Sequence, residues 1–460
     1  MTTVAQMTMK TLQSFRARTG EALGAPLPAT TPEQVDAAAA AAGDAFAAWA
    51  ASSGEQRATL LRGLAAALES DREGLVALAD DETALGPVRL NGELDRTAFQ
   101  LRRFADMAER GVAFAFTDDP AVPGAPPVGH PAMVRQRVPL GPVAMFSASN
   151  FPFAFSVLGG DTASALAAGC PVVVKAHSGH LHLSNRVFGL VQQVLRAQRL
   201  PSGLVGLIQG GGSDVGVRLV RHPAIAAGAF TGSTRGGAAL QAEASARPRP
   251  IPFYGELGSI NPVVALPPLL ATKGAELAAT LAGSITLGCG QFCTSPGVIV
   301  LLKGAESEAV IEAAMFEGKA PVLVLPEKGL GEHVVPKRIV VAWNQSAEAM
   351  TATRMALPFL KSADAVDITV IDPPPHGAER SDPGGLLCQM LVRHGVHAEV
   401  SVLARSLPRV SEVLARHVLD EDADMLVMGA YGHSRFREAI LGGATRNMLE
   451  QAEVPVLMAR

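Results

Sequence analysis

The first part of the chain carries apolar residues at helical spacing. Leucines recur every three or four positions through most of the stretch 60–75, which is the spacing that gives a helix one buried face. Thr31 is followed by Pro32, a pair that is typical of a helix start. The pattern predicts a mostly helical region over residues 32–116. A loop rich in proline and glycine is predicted over 117–132.

Beyond residue 140 short apolar runs alternate with amphipathic segments. The predicted strands are 143–146, 171–175, 205–209 and 227–230, and the predicted helices are 155–168 and 184–198. Such alternation predicts an α/β fold with a parallel sheet and helices on both faces. In sheets of this kind ligands bind beyond the carboxyl ends of the strands.

A second α/β pattern begins near residue 315. Its predicted strands are 321–325, 338–343, 366–371, 398–403, 425–428 and 454–458, with helices near 346–360, 384–394, 408–419 and 435–451. We therefore expect two regions, 10–314 and 315–460. The first would consist of a cofactor domain to about residue 258 and a partial catalytic domain over 259–314.

Composition narrows the class of protein. The 460 residues are 48% apolar and 18% charged, which predicts a large buried core. The net charge of −4 and the pI near 6.3 argue against nucleic acid as a partner. Four cysteines do not form a disulfide framework and favour a reducing compartment. Neither a signal sequence nor an apolar run of bilayer length is found, so the sequence predicts a cytoplasmic protein without membrane contact.

Two residues could supply hydrolytic or acyl chemistry. Cys293 lies in a loop of small residues, Gly-Gln-Phe-Cys-Thr-Ser-Pro, and Glu256 lies upstream in Tyr-Gly-Glu-Leu-Gly. A thiolate is a nucleophile, and a carboxylate can activate water. Taken alone, a cysteine is more often buried and inert, and a glutamate can be a solvated surface group. The amide of Asn150, after the strand 143–146, could donate a hydrogen bond to an oxyanion.

Other residues suit a nucleotide. Lys175 ends a predicted strand, and Gly232-Ser233 follows another and could open a helix, whose amide groups favour phosphate. The Gly-Ser turn alone is weak evidence. Three closely spaced histidines, at 177, 180 and 182, resemble a set of metal ligands, but no acidic or cysteine residue lies near them in the sequence. We therefore expect no metal site.

Together these features resemble the aldehyde dehydrogenase superfamily. The resemblance covers about residues 10–310 and is carried by the motifs Ser-Asn-Phe-Pro, Val-Lys-Ala-His, Phe-Thr-Gly-Ser, Glu-Leu-Gly-Ser-Ile-Asn-Pro and Gly-Gln-Phe-Cys-Thr. The most similar branch is the NADP-linked 2,5-dioxovalerate (α-ketoglutaric semialdehyde) dehydrogenases. The resemblance implies that Cys293 attacks the aldehyde, that the Asn150 amide and the Cys293 N–H hold the oxyanion, and that Glu256 activates water.

The resemblance also implies a cofactor. NAD-preferring relatives often carry a carboxylate three residues after the lysine, where it binds the ribose 2′-hydroxyl. Here that position is Ser178, which would tolerate a 2′-phosphate, so NADP is favoured and NAD remains an alternative. The family's Glu-x-Phe-Gly-Pro segment, which holds the nicotinamide ribose, and its C-terminal strand, which pairs between subunits, are not found in the sequence.

The region 315–460 resembles the universal stress protein family. Gly429, Gly432 and Gly442, followed by Thr445, match the glycine pattern that lets backbone amides approach phosphates in nucleotide-binding members. Gly443 and Asn344 depart from that pattern, so ATP binding and simple tight turns both stay open. The resemblance also implies a homodimer formed through the last strand.

Two functions follow from these resemblances. The first is NADP-dependent oxidation of an aldehyde, in which α-ketoglutaric semialdehyde is one candidate substrate. The alternative is a nucleotide-binding or dimerisation module that carries an inactive dehydrogenase fragment. An acidic semialdehyde would require a cationic pocket, and Arg102, Arg103 and Arg235 are the cations the sequence offers.

Overall fold

The computed structural model describes residues 10–211, 214–302, 307, 310–311, 314–315, 321–326, 335–373, 382–430 and 452–460. The chain divides into two compact units, and the division falls between Gly258 and Ser259. In the described ranges no helix combines the length and the apolar composition that a bilayer crossing requires.

The first unit begins with a hairpin and four helices. The hairpin pairs β1 (Thr11–Phe15) with β2 (Ala22–Pro28) in antiparallel register. The helices are α1 (Pro32–Ala50), α2 (Gly54–Ser70), α3 (Arg72–Thr83) and α4 (Pro87–Glu109). The Thr31 side chain caps α1 by accepting a bond from the Gln34 amide. The predicted helical region and its start are confirmed, whereas the hairpin was not predicted.

The loop predicted over 117–132 needs correction. Residues 116–119 form β3 (Phe116–Asp119), which pairs antiparallel with β4 (Met133–Gln136). Every residue of both strands is exposed. The ribbon therefore lacks the buried face that makes a strand visible in the sequence, and the turn residues between its strands dominate the composition.

A five-stranded parallel sheet forms the centre of the first unit. The strands are β5 (Val143–Phe146), β6 (Val172–Lys175), β7 (Val205–Ile208), β8 (Ala227–Gly232) and β9 (Phe253–Leu257). Their order is β7-β6-β5-β8-β9. The predicted α/β class and parallel sheet are confirmed, and β9 is an additional edge strand.

Helices cover both faces of this sheet. They are α5 (Gly160–Ala167), α6 (Leu181–Ala197), α7 (Asp214–Arg221) and α8 (Thr234–Ser245), together with α1 to α4. Val172 and Val174 of β6 are buried in one apolar cluster with leucines of α2, α4 and α6. Val173 is buried in another cluster with residues of α1, α7 and α8. This alternation explains why the strand is apolar at every position.

The helix predicted over 155–168 begins later, at Gly160. The buried carboxylate of Glu93 accepts hydrogen bonds from the amides of Phe153 (2.8 Å) and Ala154 (3.0 Å). Because these amides are directed to Glu93, the preceding segment forms a loop instead of a helical turn.

The helix predicted over 184–198 begins earlier, at Leu181. Glu82 of α3 accepts bonds from the amides of His182 (3.0 Å) and Leu183 (2.9 Å). These amides belong to the first turn of α6, where amides have no partner within the helix. A carboxylate from a distant part of the sequence therefore fixes this helix start.

The second unit contains two sheets. In the smaller one, β10 (Pro262–Ala265) pairs parallel with β11 (Val298–Leu301), and α9 (Pro267–Thr286) and a 3₁₀ turn (Leu287–Gly290) connect them. The larger sheet has the order β12-β17-β16-β13-β14-β15. Its strands are β12 (Val322–Val324), β13 (Arg338–Ala342), β14 (Ala365–Ile371), β15 (Ala398–Leu403), β16 (Met425–Gly429) and β17 (Val456–Ala459).

The larger sheet is mixed and carries helices. These are α10 (Ala347–Ser362), α11 (Gly385–Arg393) and α12 (Val410–Asp420). The α/β pattern predicted from residue 315 onwards is confirmed for the described residues. The predicted helix 435–451 lies outside them.

The last strand occupies an interior position. β17 pairs parallel with β16 on one side and antiparallel with β12 on the other. Both of its edges therefore carry a strand of the same chain. A homodimer formed through this strand would require β12 to detach from β17 and free that edge.

Candidate active site

Three predicted site residues meet at one edge of the parallel sheet. Lys175 is the last residue of β6, Gly232 is the last residue of β8, and Asn150 lies in the loop after β5. Phe146, at the end of β5, pairs with Lys175 on one side and with Phe230 of β8 on the other. The carboxyl ends of three neighbouring strands thus bring these residues to the same edge.

The start of α8 provides an anion-binding position. Ser233 is its N-cap, and the Ser233 hydroxyl accepts a bond from the Gly236 amide at 3.2 Å. A helix N-terminus carries partial positive charge and favours phosphate. A Cβ on Gly237 would lie 2.0 Å from a methyl group of Leu257. Any larger residue there would require the Leu257 side chain to move, because α8 packs tightly against β9.

The segment after β6 carries Lys175 and Ser178. Lys175 is half-buried, and burial lowers the pKa of its amine. Ser178 is exposed. Burial, with help from His180 and Lys175, lowers the pKa of the half-buried His177 to about 4. His177 accepts a bond from the Gly179 amide at 3.0 Å, so the ring stabilises the turn as a neutral acceptor.

The other two histidines connect loops. His180 is fully buried, and its Nε2 lies 2.9 Å from the carbonyl oxygen of Ala148, while its Nδ1 lies 3.1 Å from the Ser184 hydroxyl. His182 Nε2 lies 2.9 Å from the carbonyl oxygen of Leu23. His180 therefore fastens the segment after β6 to the segment after β5.

Charged residues of α4 support the loop of Asn150. Arg89 donates a hydrogen bond to the carbonyl oxygen of Asn150, and Glu93 holds two amides farther along the loop. Burial raises the pKa of the Glu93 carboxyl, although the two amide bonds oppose that effect. Neither residue was predicted from the sequence. A glutamate on the apolar face of a predicted helix was the available signal.

Glu256 lies on β9, opposite Thr231 in register, and its side chain is exposed. Asp161, in the first turn of α5, is near enough to interact with it: burial and the charge of Glu256 raise the pKa of Asp161. Asp161 and Tyr254 line a cavity of about 320 Å³ whose other walls are mostly apolar. Asp161 was not predicted as part of the site.

Cys293 belongs to the second unit and carries an exposed, free thiol. The side-chain amide of Asn261 donates to the carbonyl oxygens of Cys293 (2.6 Å) and Ser295 (3.0 Å). The Gly297 amide donates to the carbonyl oxygen of Ile260 at 2.8 Å. These bonds attach the Cys293 loop to the residues that precede β10. Asn261 is part of a motif quoted above, but its role was not predicted.

Four residues of the second unit were predicted to bind a nucleotide, and the structure describes one of them, Gly429. It is the last residue of β16. A Cβ there would lie 2.6 Å from the amide nitrogen of Ala349, in the first turn of α10. Gly429 therefore has a packing role. Gly432, Gly442 and Thr445 lie outside the described residues. Asn344 accepts a bond from the Ser346 amide at 3.2 Å and so shapes the turn before α10.

Two protein families match separate parts of the chain. The aldehyde dehydrogenase family matches residues 4–316. The universal stress protein family matches residues 336–460. Their limits leave residues 317–335 between the two matches.

Curated relatives are similar to the first match. An α-ketoglutaric semialdehyde dehydrogenase 2 from Azospirillum brasilense is 43% identical over 324 residues, which are 70% of this chain and 62% of that protein. An α-ketoglutaric semialdehyde dehydrogenase from Acinetobacter baylyi is 41% identical over 303 residues, which are 66% of this chain and 57% of that protein. The chain thus spans about 60% of the length of these relatives.

Solved structures share the fold. An aldehyde dehydrogenase from Pseudomonas syringae, solved with NAD+ and octanal, has a TM-score of 0.54 at 23% identity and covers 67% of this chain and 59% of its own. A methylmalonate-semialdehyde dehydrogenase from Oceanimonas doudoroffii has a TM-score of 0.55 at 20% identity. The match covers 66% of this chain and 58% of that protein. The family matches show that the chain belongs to the aldehyde dehydrogenase family and carries a universal stress protein domain in its C-terminal region.

Proposed function

We propose that this chain oxidises an aldehyde to a carboxylate, with NADP as the hydride acceptor. Cys293 is the nucleophile, Glu256 the base and Asn150 an oxyanion donor. The observation that supports this proposal most strongly is the exposed, free thiol of Cys293, in a loop that Asn261 fixes through two hydrogen bonds. A structural cysteine is usually buried and does not require such a loop.

The reaction follows from the residue types. The Cys293 thiolate attacks the aldehyde carbon, and the resulting oxyanion accepts hydrogen bonds from the Asn150 amide and the Cys293 backbone N–H. Loss of one such donor typically costs about 3 kcal/mol of barrier. NADP, when bound, supplies the acceptor for the hydride. Glu256 then takes a proton from the water that hydrolyses the thioester.

The residues at the sheet edge suit a dinucleotide with a 2′-phosphate. The N-terminus of α8 with Ser233 favours pyrophosphate, and Lys175 provides a cation at the end of β6. Ser178 is exposed and has no charge that would repel a phosphate. These donors support NADP, and the same set would also accept NAD.

The proposed substrate is α-ketoglutaric semialdehyde. Two relatives that carry this name are 43% and 41% identical to the chain. The aldehyde dehydrogenase family match, residues 4–316, contains all the residues assigned above to aldehyde chemistry.

The test is reduction of NADP+ by the purified full chain with α-ketoglutaric semialdehyde, measured by absorbance, with NAD+ in parallel. We expect turnover in the wild type and none in Cys293→Ala. Cys388→Ala is the matched control, because Cys388 is also a free cysteine but lies half-buried in the stress protein domain. It should retain wild-type turnover.

Two outcomes would contradict the proposal. One is a folded wild-type chain without turnover on any cofactor, which would favour a stress-type module carrying an inactive fragment. The other is turnover that persists in Cys293→Ala, which would assign the nucleophile elsewhere.

A further inference from the structure

Two arginines of α4 lie against the loop that carries Asn150. The guanidinium carbons of Arg89 and Arg96 lie 5.0 and 5.7 Å from the ring centre of Phe151. Arg96 also lies 5.4 Å from the ring centre of Phe155, and this ring meets Phe151 edge to face at 5.3 Å. The two rings form an apolar wall directly after Asn150, and Arg96 lies over both of them.

The two arginines have different surroundings. Arg89 donates a hydrogen bond to the Asn150 carbonyl oxygen and lies 3.8 Å from the carboxylate of Glu93, and its side chain is 15% exposed. Arg96 is exposed and forms no ion pair in the described ranges, although its charge, like that of Arg89, acts to lower the pKa of the buried Glu93 carboxyl against the larger effect of burial. Arg89 therefore supports the loop, whereas the charge of Arg96 is available to a ligand.

The position of Arg96 suits a small carboxylate. A guanidinium over aromatic rings is held there through its charge, and its N–H donors can still bind a carboxylate with two parallel hydrogen bonds. Phe99 lies one helical turn farther along α4 and is 65% exposed. Phe99 extends the apolar surface beside Arg96, where methylene groups of a ligand could pack.

We infer that Arg96 binds the carboxylate at the far end of the aldehyde substrate and so makes the site selective for short acidic aldehydes. The inference rests on the proposed function, because it defines the substrate class of the same site. A five-carbon semialdehyde separates its two ends by only about 5 Å, given C–C bonds of about 1.5 Å. So short a substrate requires an anchor near the oxyanion donor, and Arg96 lies over the ring of Phe151, the residue next to Asn150.

The cations that the sequence offered fit this role less well. Arg102 forms two hydrogen bonds with the carboxylate of Glu69. Arg235 lies in the first turn of α8, on the side proposed for the cofactor. Arg103 is exposed on α4 but lies two turns beyond Arg96.

The test compares two five-carbon aldehydes, α-ketoglutaric semialdehyde and neutral pentanal, with the wild type, Arg96→Met and Arg103→Met. Arg103→Met removes the same charge from the same helix and is the matched control. We expect Arg96→Met to raise KM for the acidic aldehyde between about 10- and 100-fold, which corresponds to the loss of charge-assisted hydrogen bonds. In Arg96→Met, KM for pentanal should stay within about twofold of the wild-type value. Arg103→Met should have wild-type KM values for both aldehydes.

A binding measurement separates this inference from the proposed function. Calorimetry with α-ketoglutarate, the product of the proposed reaction, requires no turnover. Arg96-dependent binding by a chain without activity would support the carboxylate anchor while the proposed function fails. Turnover with an unchanged KM in Arg96→Met would overturn the proposed anchor and leave the proposed function standing.

An inactive wild type that does not bind α-ketoglutarate would overturn both the anchor and the function. Arg96→Lys, which keeps the charge, should give intermediate values.

Discussion

At the scale of single residues, Asn261 is the support closest to the proposed nucleophile. Its amide donates to two carbonyl oxygens of the Cys293 loop, and its backbone has a φ of 45°, in the left-handed region. Asparagine and glycine adopt this conformation most readily. Asn261 therefore combines a backbone requirement with a side-chain role, and two substitutions can separate them.

We expect Asn261→Gly to lower kcat between about 10- and 100-fold, because two hydrogen bonds are lost at about 1 kcal/mol each or slightly more. Asn261→Ala adds backbone strain and should also lower the thermal stability. The rate of Cys293 alkylation, followed by mass spectrometry, should change in both variants. Wild-type kcat in Asn261→Gly would show that the amide does not position the loop.

His177 gives a prediction about pH. Its folded-state pKa of about 4 lies below the ordinary value of 6.5. As pH falls, the unfolded chain therefore binds the proton first, and stability that is present above pH 6.5 is lost towards pH 4. The full loss corresponds to about 3 kcal/mol.

We expect His177→Asn to reduce this loss of stability. The measurement is urea unfolding at about pH 7.5 and about pH 5, which lie roughly one unit above and one and a half units below the ordinary histidine pKa. Asparagine can still accept the bond from the Gly179 amide. His222→Asn is the control, because His222 accepts a bond from the amide two residues later in the same way, at 3.2 Å. Equal pH dependence in the wild type and His177→Asn would contradict the assignment.

At the scale of elements, β12 determines the environment of the last strand. β12 has only three residues, and its central Leu323 pairs with Leu457 of β17. Proline at this position removes an amide and is incompatible with regular pairing in so short a strand. Leu325, just beyond the strand, is similarly exposed and provides a control.

We expect Leu323→Pro to increase the apparent mass of the purified chain in light scattering, because the free edge of β17 can pair with another chain. Leu325→Pro should leave the mass unchanged. If Leu323→Pro also keeps the wild-type mass, β12 does not protect β17 from self-association.

Elements with buried faces were predictable from the sequence, and exposed ones were not. β6 was found because all of its positions before Lys175 are buried between two layers of helices. β3 and β4 were missed because no residue of theirs is buried. The starts of α5 and α6 were misplaced because Glu93 and Glu82 act from distant parts of the sequence. Motifs indicated Cys293 and Glu256, but the supports Asn261 and Arg89 become visible only through tertiary contacts.

At the scale of the whole molecule, the chain joins two α/β units. The residues proposed for cofactor binding all lie in the first unit. Gly429 lies in the second, where a Cβ would meet the backbone of α10 at 2.6 Å. A substitution at Gly429 therefore tests whether the first unit binds its cofactor without an intact second unit.

We expect Gly429→Ala to destabilise the larger sheet of the second unit by about 1–3 kcal/mol, since a clash with backbone forces the structure to shift. NADPH binding, measured by fluorescence, should keep its Kd within about twofold. Gly283→Ala is the control, because nothing lies within 4 Å of a Cβ there and alanine favours a helix. It should leave both stability and binding near wild type. Loss of NADPH binding in Gly429→Ala alone would show that the cofactor site depends on the stress protein domain.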